Sequence, residues 1–76
     1  MKEVEISREP IELYKLLKFE GIASSGAEAK AFVADGRVLL NGVVETQKRK
    51  KLLSGDCIEI GETTLKIRLV EPPTQA

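Results

Sequence analysis

The stretch Ser25-Gly26-Ala27-Glu28-Ala29-Lys30-Ala31-Phe32-Val33-Ala34-Asp35-Gly36-Arg37-Val38-Leu39-Leu40-Asn41-Gly42-Val43-Val44-Glu45 changes its hydrophobic period halfway along. Its first four residues form a capping box. The Ser25 hydroxyl is placed to accept from the Glu28 N–H, and the Glu28 carboxylate to reach back to the Ser25 N–H. Ala29, Phe32 and Val33 then stand at i, i+3 and i+4, sharing one helical face from which Lys30 departs. Gly36 ends the run, because a helix terminus needs a left-handed backbone that a β-carbon penalises. A helix from about 26 to 35 is expected. After it, Arg37 to Leu40 and Val43 to Glu45 flank Asn41-Gly42, a pair that tolerates the two positive φ angles of a type I′ turn, so a β-hairpin is expected.

Toward the N-terminus, residues 3–6 alternate polar and apolar and predict a short strand, while Ser7 and Glu9-Pro10 read as a helix entry with proline in the first turn. The helix is expected to begin near residue 10. Ile11, Leu13, Tyr14, Leu16, Leu17 and Phe19 form its apolar face, Glu12, Lys15 and Lys18 lie outside it, and Gly21 stops it. Toward the C-terminus, Lys48-Arg49-Lys50-Lys51 reads as an irregular connection. Ser54-Gly55-Asp56 and Gly61-Glu62 read as turns, and Cys57 to Ile60 and Thr63 to Val70 as strands. Leu65, Ile67 and Leu69 alternate with Lys66 and Arg68, as one buried sheet face requires. The tail 71–76, with two prolines, is expected to fray.

At 76 residues the chain has room for one domain, 1–76, and its 42% hydrophobic and 32% charged side chains fit a folded one. Cys57 is the single cysteine and histidine is absent, which excludes an internal disulfide, the usual Cys/His zinc sites and every His-assisted nucleophile. No enzyme, no metal and no cofactor are expected. Cys57 reads as a packing residue, and Asp35, Asp56 and Glu62 as turn residues. The longest apolar run, Ala31 to Ala34, is far short of the roughly 20 residues of a membrane span. The charged N-terminus does not resemble a secretion signal, so a cytoplasmic location and no membrane contact are expected.

Twelve basic and twelve acidic residues give zero net charge, yet residues 24–53 hold six basic and three acidic side chains. Four of the six are the run Lys48 to Lys51, and a neutral total can hide such a local field. A second anion-attracting feature is the start of the helix at Gly26, where unpaired N–H groups stand beside the hydroxyls of Ser24 and Ser25 and, one turn on, Lys30. If the hairpin folds beside this helix, Lys30, Arg37 and the basic run form a cationic stripe suited to a phosphate backbone. Tyr14, Phe19 and Phe32 are the only aromatics and sit at apolar helical positions, so they read as core. Single-stranded base stacking is therefore not expected. Phosphate positions and duplex shape remain, which suits structured RNA.

Four segments in order, residues 16–21, 25–30, 36–42 and 53–60, resemble the alpha-L RNA-binding domain, the type named after ribosomal small-subunit protein four. The resemblance covers about 11–60 and is closest to free-standing bacterial members. It implies an α+β fold in which a two-helix pair packs on a small, mostly antiparallel twisted sheet. It also implies binding of structured RNA, ribosomal RNA or the ribosome among them, by the second helix's start and the neighbouring hairpin and loop. Family members commonly have serine then arginine at that start; here Ser25 matches and Gly26 replaces the arginine, leaving Lys30, Arg37 and Lys48 to Lys51 to supply the charge. The expected RNA-binding residues are Ser24, Ser25, Gly26, Lys30, Arg37, Asn41, Lys48, Arg49, Lys50 and Lys51, in a monomer with no small-molecule substrate. The alternative is a protein-interaction adaptor whose basic loop docks an acidic partner.

Overall fold

The computed structural model describes residues 2–70; the tail expected to fray, 71–76, lies outside them. In chain order the elements are β1 (Lys2–Ile6), β2 (Ile11–Glu12), α1 (Leu13–Phe19), α2 (Gly26–Ala34), β3 (Val38–Leu40), β4 (Val43–Val44), β5 (Lys51–Leu52), β6 (Cys57–Ile60) and β7 (Thr63–Leu69). Five strands form one sheet in the order β1-β7-β6-β3-β4, and β2 pairs with β5 in a separate ribbon. All pairs are antiparallel except β1 with β7. The fold is thus the expected α+β class, two helices with a mostly antiparallel sheet.

Local signals explain most element ends. At the close of α2 the Gly36 N–H donates to the Val33 carbonyl and the Arg37 N–H to the Phe32 carbonyl, a Schellman closure that requires the left-handed Gly36 (φ 74°). Asn41 and Gly42 have φ of 51° and 85°, the two positive angles that the tight β3–β4 turn demands. The Ser25 hydroxyl accepts from the Glu28 N–H at 3.1 Å. The return half of the capping box differs from expectation. The Glu28 carboxylate accepts from the N–H and hydroxyl of Ser24, at 3.2 and 3.0 Å, because Ser24 stands at the N′ position within reach of both oxygens.

Removing the Ser25 hydroxyl leaves the Glu28 N–H without its cap. Ser25→Ala should therefore lower unfolding free energy by about 1 kcal/mol, read as a fall in the urea midpoint at constant slope.

Two expectations are corrected here. The first helix starts at Leu13 rather than near residue 10, because Ile11 and Glu12 pair with Leu52 and Lys51. The basic run, expected as an irregular connection, contributes Lys51 to β5, and its carbonyls serve the helix: Leu13 N–H donates to Lys50 O at 2.9 Å and Tyr14 N–H to Lys48 O at 3.1 Å. Since Glu12 makes no side-chain cap, these carbonyls satisfy the opening donors of α1.

The core joins Leu13, Leu16 and Leu17 of α1, Ala29 and Val33 of α2, and Val4, Val38, Ile58, Leu65 and Ile67 of the sheet, all buried. On the opposite sheet face the register sets Glu3 beside Lys66 and Glu5 beside Arg68, and Arg68 lies 3.8 Å from Glu3. That face neutralises itself. The helical side does not.

Candidate nucleic-acid interface

Tyr14, the second residue of α1, is where Lys30 and the backbone of the basic run meet. Its backbone is tied to Lys48, and its ring lies 4.8 Å beneath the Lys30 ammonium and 6.0 Å from that of Lys15. The start of α2 touches the same ring, since a β-carbon placed on Gly26 would stand 3.8 Å from Tyr14 Cε2. The Tyr14 ring therefore draws together the α2 start and Lys30, and the Tyr14 backbone N–H ties the basic run to the same residue. Residues more than thirty positions apart in the chain share one surface.

The charges on it are mostly free. Among the described residues, Lys18, Lys30, Arg37, Lys48, Lys50 and Lys51 have no carboxylate within salt-bridge distance. Glu12 is the local exception. It holds Lys15 at 3.0 Å and Arg49 at 4.0 Å, and it pairs in register with Lys51. The Lys15 hydrogen bond, opposed by partial desolvation and helped by the charges of Lys15, Arg49 and Lys51, holds the Glu12 carboxyl below its ordinary range. The same bond raises Lys15. This interaction is therefore complete above the usual carboxylate pKa and fades as pH falls through the lowered value.

The structure does not gather every expected residue. Arg37, fixed by the Schellman closure, stacks its guanidinium 5.7 Å over Phe32 at the far end of α2. Asn41 uses its side chain at the hairpin tip, donating to Asp56 at 3.1 Å and accepting from the Cys57 N–H at 2.9 Å. The hydroxyls of Ser24 and Ser25 are engaged by Glu28. The N–H groups of Gly26 and Ala27 keep no partner among the described residues.

The aromatic reading needs one correction. Tyr14 and Phe32 pack against the core, but Phe19 is 80% exposed. Leu13, Leu16 and Leu17 cluster on one arc of α1, and at about 100° per residue Tyr14 and Phe19 each fall roughly 110° from the middle of that arc, on opposite sides. The helical projection therefore does not separate the two rings: Tyr14 packs against the core and Phe19, at the helix end, does not. Lys15 and Lys18 flank the ring. Together with Tyr14 and Gly26 they border a hollow of about 420 Å³.

A helix pair on a small, mostly antiparallel mixed sheet fits an S4 domain. The model of that family matches residues 4–68, and the chain belongs to it. It is 40% identical over 57 residues to "Putative RNA-binding protein YbcJ" of Escherichia coli (strain K12), covering 75% of this chain and 81% of that one. It is 35% identical over 57 residues to "Probable ribosome maturation protein RlbA" of Bacillus subtilis (strain 168), covering 75% and 80%. The solution structure of E. coli YbcJ, described as revealing an alpha-L motif involved in RNA-binding, superposes with a TM-score of 0.69 at 36% identity over 90% of this chain and 87% of that one.

Proposed function

We propose that the protein is a non-catalytic module that binds structured RNA, ribosomal RNA or another folded RNA, through phosphate and shape contacts. One observation carries the reading: Lys30 and the Lys48 to Lys51 segment converge on Tyr14, and Lys30, Lys48, Lys50 and Lys51 have no carboxylate partner among the described residues. The free N–H groups of Gly26 and Ala27 add two donors directed outward from the start of α2, suited to a phosphate oxygen. Ser24 and Ser25 act through the cap that orients those donors, Arg49 is shared with Glu12, and Arg37 and Asn41 are engaged elsewhere, with Phe32 and with Asp56 and Cys57. The names of the E. coli and B. subtilis relatives point the same way. The module acts as a monomer in the cytoplasm.

If four cations each meet a phosphate, log K should fall linearly with log salt at a slope of roughly −3 to −4. Titrating a folded RNA by fluorescence anisotropy at several salt concentrations measures it. A flat line, or no binding in low salt, rejects the reading.

A further inference from the structure

Phe19 is the last residue of α1, and its ring stands in solvent although the chain has only three aromatic residues with which to build a core. Its surroundings are not neutral. Toward α2 the ring borders a hollow lined by Tyr14, Lys15, Lys18 and Gly26 with no acidic side chain in the wall, and on its other side one whose wall includes Glu5, Glu12 and Glu20. Gly26 keeps the hollow open: its added β-carbon would lie at ordinary contact distance from Tyr14, so a larger side chain would extend over that ring. An exposed π-face beside cations matches a nucleotide, whose base stacks while its phosphate pairs with an ammonium. Lys18, exposed and free of a carboxylate, is adjacent in sequence to the ring.

We infer that Phe19 is a stacking platform for one unpaired base of the bound RNA, with Lys18 holding a flanking phosphate and Gly26 leaving room for the base. The inference rests on the RNA reading above and extends it. The RNA recognised carries a bulged or looped-out nucleotide next to a paired stem. The stem lies along Lys30 and the basic run, and the extruded base enters the hollow between Phe19 and Tyr14.

The test compares two RNA hairpins that share one stem, with and without a single-nucleotide bulge, at one salt concentration. The wild-type chain should bind the bulged hairpin roughly tenfold more tightly, as expected for one base–aromatic stack. Phe19→Ala should erase that preference and leave affinity for the paired stem in place. Phe19→Trp introduces the only tryptophan of the chain, and its emission should be quenched by the bulged hairpin but not by the paired one. Equal wild-type affinity for the two hairpins, or equal weakening of both by Phe19→Ala, overturns the inference while the RNA reading stands. Failure of the wild-type chain to bind either hairpin removes both.

Discussion

Replacing Lys30, Lys48, Lys50 and Lys51 together by glutamine should lower affinity for a folded RNA on the order of a thousandfold at 0.15 M salt. At that concentration each released counterion contributes about five- to sixfold to the binding constant, and four contacts multiply. The variant should fold as the parent does, since none of the four ammonium groups has a carboxylate partner among the described residues. The backbone carbonyls of Lys48 and Lys50 that cap α1 are also untouched by the change. The salt slope of the variant should flatten toward zero. Glutamate in the same positions should go further, because repulsion is added to the lost attraction. An unchanged affinity would show that the cations gathered near Tyr14 are not the binding surface. A complex in cell extract that survives nuclease digestion but is lost in this variant would instead favour an acidic protein as partner.

The second large effect is on stability. Leu17 is completely buried and belongs to the cluster that joins α1 and α2 to Ile58, Leu65 and Ile67 of the sheet. Leu17→Ala removes that burial and leaves a cavity that a small, tightly joined core closes poorly, costing about 3 kcal/mol. A chain of this length has a total stability of only roughly 4–11 kcal/mol, so the loss is a large share of it. The urea midpoint should fall by about 3 M if the denaturant slope is near 1 kcal/mol/M, with the slope itself unchanged. A shift below about 1 M would mean that the helix pair repacks around the smaller side chain. Affinity for RNA, measured where the variant is still folded, should remain close to that of the parent, because Leu17 does not reach the surface.

The site was partly legible in the chain. Lys30 and the run Lys48 to Lys51 are visible as charge, and the opening of α2 is announced by Ser25 and Glu28. Their convergence is not visible, because the residue that joins them, Tyr14, has the apolar spacing of a core side chain. Its role comes from two contacts, one with the Lys30 ammonium and one through its N–H with the Lys48 carbonyl. Phe19 was concealed by the same kind of spacing. A step of three from Leu16 fits a buried stripe, and its angle from the Leu13, Leu16 and Leu17 arc equals that of the half-buried Tyr14, so only the tertiary structure separates the two.

What the amino-acid order determined by itself is local: the Ser25 cap, the glycine stops after both helices, the Asn41-Gly42 turn and the alternating face of β7. Each depends on a backbone angle, a period or a hydrogen bond spanning a few residues, so neighbouring side chains suffice to specify it. The tertiary structure decided the pairing of β1 with β7 from opposite ends of the described chain and the ribbon of β2 with β5, which moved the start of α1 to Leu13. It also decided that the carbonyls of a basic loop would close that helix. Two-residue strands carry no readable period, and a long-range partner is selected by which surfaces and unpaired backbone groups remain when the rest of the core has formed.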